Sequence, residues 1–136
     1  MELNNKKIIL DLCGGTGSWS KPYKDAGYDV RVITLPEYDV LTYIPPKNVY
    51  GILAAPPCTM FSMARTNAKT PRDLEGAMST VYHCLRIIWE AQYKGKRLKF
   101  WALENPKGRL RWFLGRPVLS FNPYDFGDAY KKPTDI

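Results

Sequence analysis

The chain has 136 residues, of which 45% are hydrophobic, so it holds about one domain's worth of sequence with too much apolar material for a disordered tail. Its formal net charge of +7 favours a polyanionic partner such as a nucleic acid. The sequence has three cysteines without a CxxC pair and a single histidine, which predicts neither a metal site nor a disulfide framework. We see no signal peptide and no apolar run long enough to span a membrane, and we therefore predict a cytoplasmic protein without a membrane segment.

Short apolar runs alternate with helical patterns along the chain, which is typical of an open, mainly parallel α/β sheet. We therefore predict one α/β domain over residues 1–136, with a mostly parallel central sheet flanked by helices. Thr134–Ile136 is expected to begin a final, incomplete strand, and Met60–Arg72 to form a polar loop. The predicted strands are Ile8–Leu12, Asp29–Leu35, a short edge strand near Asp39–Tyr43, Tyr50–Ala55, Lys99–Leu103 and Val118–Phe121. The predicted helices are Ser18–Ala26, Gly108–Leu114 and the long Asp73–Tyr93, whose apolar residues at helical spacing are Leu74, Ala77, Met78, Val81, Leu85, Ile88 and Trp89.

A glycine-rich turn follows the first predicted strand, where ligands bind in an open α/β sheet. Gly15 and Gly17 permit positive φ and close approach of a ligand to the backbone. The third glycine of a dinucleotide motif is replaced by Ser20, and the Lys of a phosphate-binding loop is missing. The turn is read either as a nucleotide-like cofactor loop or as an ordinary glycine turn.

Two further strand ends carry reactive side chains. Cys58 follows Pro56 and Pro57, which stiffen the turn and hold the thiol in one place, as a nucleophile requires. Glu104 ends the strand at Lys99–Leu103, where a buried carboxylate has its pKa raised and can act as an acid. The alternative for Glu104 is an interaction with the start of the next helix. Cys84, and with it Cys13, is interpreted as a small packing residue.

These residues together resemble the cytosine-5 DNA methyltransferase family, and most closely its compact, phage-type members. The resemblance covers about residues 8–133 and lies in the order and spacing of three motifs: Asp11-Leu12 with Gly15 and Gly17, Pro57-Cys58 with Phe61-Ser62, and Glu104-Asn105. It implies a Rossmann-like domain that uses S-adenosylmethionine to methylate carbon 5 of a flipped-out cytosine in DNA. Cys58 would add to carbon 6, and Glu104 would bind ring nitrogen 3 and the exocyclic amine.

The same resemblance implies the residues that hold the cofactor and the base. Asp39 matches the acid that contacts the adenine amine, and Glu37 is the candidate for the ribose because Thr34 stands where the family has an acid. The implied cofactor-binding residues are Asp11, Cys13, Gly15, Gly17, Ser18, Trp19, Thr34, Leu35, Glu37, Asp39, Val40 and Pro56. The implied substrate-binding residues are Pro57, Phe61, Ser62, Arg65 and Asn105.

The chain departs from the family pattern at several positions. Thr59 replaces a Gln after Pro-Cys, and Pro106 replaces a Val after Glu-Asn. The nearest counterparts of two late arginines are Lys131 and Lys132, which are counted as catalytic although lysine lacks the planar fork of arginine. No target-recognition region is apparent in the sequence.

Two other functions remain open at this stage. An amino-methyltransferase would share the glycine loop, but it needs an aromatic residue where Cys58 stands. An inactive or truncated fragment that binds cofactor or DNA would account for the short length. The sequence does not distinguish DNA from RNA as the substrate.

Overall fold

The computed structural model describes residues 7–57, 74–95, 97–106, 110–121 and 134–136. These residues form an α/β fold with two sheets. No helix in these ranges is both long enough and apolar enough to span a bilayer. The strands are β1 (Ile8–Leu12), β2 (Asp29–Ile33), β3 (Val49–Ala54), β4 (Phe100–Leu103), β5 (Asn105–Pro106), β6 (Ser120–Phe121) and β7 (Thr134–Asp135). The helices are α1 (Lys21–Asp25), α2 (Leu74–Glu90), which continues into a π-helical turn at Ala91–Gly95, and α3 (Leu110–Leu114).

The main sheet has four strands in the order β2-β1-β3-β4, and all of its pairings are parallel. β1 lies between two partners, and all five of its residues are buried. A continuous apolar strand of this kind is expected where both faces of a parallel sheet are covered. The predicted α/β class with a parallel sheet is thus confirmed, and it is compatible with a Rossmann-like fold.

The core lies between one face of this sheet and α2. Leu10 and Ile52 face each other across β1 and β3, and they belong to one buried cluster with Cys84 and Ile87 of the helix. Trp89 was expected on the same apolar stripe, but its side chain is 56% exposed. Adjacent helix residues lie about 100° apart, so the burial of Ile88 turns Trp89 away from the sheet.

The second sheet is small and antiparallel, with the order β5-β7-β6. The strand expected at Thr134–Ile136 is confirmed as β7, which pairs with β5 on one side and β6 on the other. Backbone hydrogen bonds between Leu119 and Ile136 extend the pairing with β6. A strand of two residues carries almost no periodicity, and for this reason β5 is not predicted from the sequence.

The predicted edge strand is wrong, the first helix starts later than predicted, and β2 ends at Ile33 and not at Leu35. Asp39–Tyr43 is a turn and not an edge strand, because the Asp39 carboxylate accepts a hydrogen bond of 2.9 Å from the Leu41 N–H and competes with strand pairing. The first helix begins at Lys21 and not at Ser18. Ser18–Ser20 form a turn, and the Ser20 hydroxyl bonds back to Asp11 at 2.6 Å.

Candidate functional site

The candidate site lies where the order of the main sheet reverses. From β1 the chain passes to β2 on one side, and it later returns to β3 on the other side of β1. The loops that leave the carboxyl ends of β1 and β3 therefore diverge, and a crevice at this point is the usual ligand site of such sheets. Both sequence motifs lie here, because Cys13 follows β1 and Pro56 follows β3.

The glycine loop after β1 is held in an unusual backbone conformation. Cys13, Gly15 and Gly17 have φ angles of 58°, 56° and 79°, a region that residues other than glycine rarely adopt. A Cβ atom on Gly17 would lie 3.1 Å from Val32, whereas a Cβ atom on Gly15 would meet no heavy atom within 4 Å. Gly15 thus leaves open space beside the backbone, into which a ligand could fit.

Asp11, at the end of β1, holds the glycine loop through a buried hydrogen bond to Ser20. Its side chain is fully buried, and its Oδ2 accepts a hydrogen bond of 2.6 Å from the Ser20 hydroxyl, while Oδ1 has no hydrogen-bond partner. The Gly17 carbonyl is a longer acceptor for the same hydroxyl, at 3.2 Å. Burial raises the pKa of Asp11, and the hydrogen bonds from Ser20 only partly oppose that shift. The carboxyl group therefore shapes the loop from within the core.

This raised pKa predicts a pH dependence of stability. An acid whose pKa is higher in the folded state binds its proton more tightly there, so its stabilising contribution is lost as pH rises from the unfolded pKa through the folded one. Asp11→Asn keeps an acceptor for Ser20 and removes the titration. In urea unfolding from pH 3 to pH 8, we expect the variant to become more stable relative to the wild type as pH rises. Asp25→Asn, at an exposed position, is the control, and parallel curves for Asp11→Asn and the wild type would contradict the assignment.

The second wall of the candidate site is the segment that follows β2. Thr34 is half-buried and its carbonyl accepts a hydrogen bond from the Tyr38 N–H, whereas Leu35 and Glu37 are exposed. Asp39 is half-buried, and its negative charge acts to raise the pKa of Cys13, an effect that the hydrogen bond from Cys84 outweighs. The Cys13 N–H donates to the Ile33 carbonyl at 2.8 Å, so the start of the glycine loop lies beside the end of β2.

Arg86 of α2 holds this wall in place, a role that the sequence did not reveal. One of its guanidinium nitrogens, Nη2, donates to the carbonyls of Val40 at 3.1 Å and Tyr43 at 2.9 Å. The other, Nη1, forms a half-buried ion pair with Glu90 at 3.1 Å. The two carbonyls are more than 40 positions away in sequence, so no local pattern could have indicated the contact.

Cys13 and Cys84 are free thiols in contact at the base of the loop. The hydrogen bond from Cys84 lowers the pKa of Cys13 more than burial and the nearby carboxylates raise it. The same hydrogen bond and burial raise the pKa of Cys84. Cys84 is fully buried in the core cluster, and this confirms its interpretation as a packing residue.

The turn after β3 is tied to both neighbouring strands. The Ala55 N–H donates to the Leu12 carbonyl at 3.0 Å, and the Glu104 N–H donates to the Ala54 carbonyl at 2.8 Å. Asn105, which is 2% exposed, donates from Nδ2 to the Pro56 carbonyl at 3.0 Å. The side chain of Asn105, which is predicted to bind substrate, thus bonds to the backbone of the Pro-Pro turn. Glu104 is half-buried at the adjacent strand end.

The remaining predicted residues are distributed as follows. Ser18 and Pro57 are exposed, Trp19 is half-buried, and Val40 and Pro56 are buried. Within the described ranges, no three His, Cys, Asp or Glu side chains are grouped as metal ligands would be. Cys58, Phe61, Ser62, Arg65, Lys131 and Lys132 lie outside the described residues, as does the predicted loop Met60–Arg72.

Ser20 is the residue in the loop that sequence reasoning missed. It was noted only because it breaks a glycine motif, yet it links the end of β1 to the end of the loop. Its spacing of nine residues from Asp11 matches no standard capping pattern. Comparison with known protein families and with curated proteins finds no match for this chain.

Proposed function

We propose that this protein transfers a methyl group from S-adenosylmethionine to carbon 5 of cytosine in DNA, with Cys58 as the nucleophile. The observation that carries the proposal is the junction of three strand ends. The Pro56-Pro57 turn, which leads directly to Cys58, is bonded to Asn105 beside Glu104 and adjoins the glycine loop after β1. A nucleophile, an acid and a cofactor loop on neighbouring strand ends are the parts that this reaction needs.

The cofactor would be held by the loops at the carboxyl ends of β1, β2 and β3. The open space at Gly15 supports close approach of the ligand to the loop backbone, and Asp39 is the polar side chain at its edge. The cofactor contributes an electrophilic methyl group to the reaction. Asp11 is excluded from direct contact because its carboxyl group is fully buried, so its part is to fix the loop through Ser20.

Residues of this chain would activate the cytosine ring. The Cys58 thiolate adds to carbon 6 of cytosine, which makes carbon 5 nucleophilic. Glu104 hydrogen-bonds ring nitrogen 3 and the exocyclic amine, and it favours protonation at nitrogen 3 as the thiolate adds. After methylation a base removes the carbon 5 proton, and the electron pair of the broken C–H bond re-forms the 5,6 double bond and expels the thiolate from carbon 6. The net charge of +7 supports a polyanionic substrate.

The direct test is methyl transfer. The full chain is incubated with S-adenosylmethionine labelled in the methyl group and with DNA of mixed sequence, and the nucleosides are separated after digestion. We expect label in 5-methylcytosine. Label in an N-methylated base would favour the amino-methyltransferase alternative. Label that appears only with RNA of the same sequence would indicate that the substrate is RNA and not DNA. Cofactor binding without transfer to either polymer would favour the inactive fragment.

Gly15 offers a selective test of the cofactor site. Asn accepts positive φ more readily than most residues, so Gly15→Asn should keep the fold while placing a side chain in the open space beside the loop. Calorimetric titration with S-adenosylhomocysteine should show binding weakened by about tenfold or more, the scale of a lost close contact.

Gly115→Asn is the matched control for this variant. Gly115 also has a positive φ, 87°, and also has no heavy atom within 4 Å of a Cβ position, but it lies after α3. Equal weakening by both variants, or no effect of Gly15→Asn, would contradict the placement of the cofactor.

A further inference from the structure

Basic side chains gather at the edge of the main sheet where its strands begin, opposite the edge that carries the candidate site. Parallel strands begin at one edge, and the residues that lead into β1, β3 and β4 meet there with the end of the π-helical turn. We call this group the basic edge. Its members, of which the first is half-buried and the others are exposed, are Lys7, Lys47, Lys94, Arg97 and Lys99.

The opposite edge differs in the sign of its charge. The described residues that directly follow the four strands are 13–20, 34–46, 55–57 and 104. These stretches contain no lysine or arginine, but they include the carboxylates of Glu37, Asp39 and Glu104. The positive charge of the described part of the chain is therefore concentrated away from the candidate site.

Backbone and ring contacts bring the basic edge together. The Lys7 ammonium lies 4.8 Å from the centre of the Tyr50 ring, and the Lys99 N–H donates to the Tyr50 carbonyl at 2.8 Å. The backbone of Gly95 packs so closely against the Lys47 carbonyl that a Cβ atom would overlap its oxygen. The starts of three strands and the end of the π-helical turn thus form one continuous surface.

The charge of the basic edge is largely unneutralised. Glu90 and Asp29 lie near it, but each has an arginine partner, Arg86 at 3.1 Å and Arg31 at 3.0 Å. Lys94 lies farther from Glu90, at 3.9 Å. The other four cations of the basic edge form no ion pair with any described residue. A surface with this excess of positive charge attracts a polyanion.

Two exposed aromatic rings beside the basic edge indicate which polyanion it is. Trp89 and Tyr93 are 56% and 61% exposed, their ring centres are 5.1 Å apart, and Tyr93 directly precedes Lys94. Proteins that bind single strands combine a basic surface with aromatic rings on which bases stack. A duplex keeps its base faces covered, and a lipid or an acidic peptide surface offers charge without a row of flat rings.

We propose that the basic edge binds a single-stranded nucleic acid. The phosphates lie along its lysines and Arg97, and a base stacks on the exposed ring of Trp89, which Tyr93 supports. Phosphates and base faces are common to DNA and RNA, so the surface has little sequence preference. This binding lies at the opposite edge from the proposed methyl transfer and does not depend on that function.

The charge is tested with the full chain and a fluorescent fifteen-nucleotide oligothymidylate, followed by anisotropy over a range of salt concentrations and without S-adenosylmethionine. Lys47→Gln combined with Lys99→Gln should weaken binding by about tenfold or more. It should also make the plot of log K against log salt shallower by about 1.4, because each phosphate contact to a single strand contributes about 0.7.

Lys21→Gln combined with Arg116→Gln is the matched control, since it removes two exposed cations that lie outside the basic edge. It should weaken binding by about threefold or less, because screening limits the effect of distant charges. Equal weakening by the two double variants would overturn the proposed location, since binding would then follow net charge alone.

The aromatic contact is tested by Trp89→Ala, which changes an exposed side chain and should keep the fold. It should weaken oligothymidylate binding by about tenfold, the scale of one stacked base, and leave binding of a fifteen-base-pair duplex unchanged. Tyr82→Ala, at a 62% exposed aromatic two helical turns earlier, should change neither.

Three results would overturn the proposal. Unchanged oligothymidylate binding in Trp89→Ala would mean that no base stacks there and that the surface does not select single strands. Binding to vesicles that contain phosphatidylserine, without binding to the oligothymidylate, would assign the basic edge to a membrane surface. No saturable binding of the oligothymidylate at low salt would exclude a nucleic-acid site.

Discussion

DNA that contains 5-fluorocytosine is expected to form a denaturation-resistant adduct with the wild-type chain in the presence of S-adenosylmethionine, and Cys58→Ser is expected to abolish it. A base cannot remove fluorine from carbon 5 as it removes a proton, so the final elimination fails. The cysteine sulfur that has added to carbon 6 therefore remains attached. Serine lacks an accessible anion near neutral pH and does not add. The measurement is the shifted protein band on a denaturing gel, confirmed by mass spectrometry.

Cys84→Ala is the matched control, because that thiol is buried in the core and bonded to Cys13. It should leave the adduct intact in any variant that remains folded. An adduct of equal yield in Cys58→Ser would contradict the proposed nucleophile. An adduct with Cys58 that forms without the cofactor would show that trapping does not require methyl transfer.

Asn105→Ala is expected to have the second largest effect. The substitution removes the donor to the Pro56 carbonyl, which leaves a buried acceptor and should lower the free energy of unfolding by about 1–3 kcal/mol. Loss of the bond should also displace the turn that leads to Cys58. Small displacements of reacting groups cost about 100-fold in rate, so adduct formation should slow on that scale, while the affinity for S-adenosylhomocysteine should change little.

Asn48→Ala is the control, since it removes the same side chain at an exposed position. Both the unfolding free energy and the rate of adduct formation should remain near the wild-type values. A stability loss in Asn105→Ala with an unchanged adduct rate would mean that the Pro56 bond supports the fold and does not position Cys58.

Three strands of the main sheet, β1, β3 and β4, were predictable because each is a short and mainly apolar run. β1 matches its predicted bounds, and β3 is shifted by one residue toward the N-terminus. β4 begins one residue later than predicted, and β2 ends two residues before the predicted Leu35. Such runs report burial directly. By contrast, the turn at Asp39 was mistaken for a strand, because its conformation depends on a side-chain hydrogen bond within the turn and on Arg86 from a distant helix.

The candidate site was predictable in outline for a related reason. Parallel strands place their carboxyl ends at one edge, so motifs that follow β1, β3 and β4 had to lie near one another. The supporting contacts were not predictable. The bond between Ser20 and Asp11 spans nine positions and the bond between Asn105 and Pro56 spans 49, and neither spacing matches a local motif. The position of Cys58 beyond Pro57 stays a prediction.

The two sheets differ in how their backbone amides should exchange with solvent. β1 is buried along its whole length and hydrogen-bonded on both sides, so its amides should exchange only when the main sheet unfolds. β5 pairs with β7 through two residues, and short ladders open by local fluctuation at far lower free energy. Asn105 belongs to β5. The side-chain amide of Asn105, which donates to the Pro56 carbonyl, is therefore attached to a strand that opens often on the timescale of hydrogen exchange. By contrast, β1, which leads into the glycine loop, stays closed.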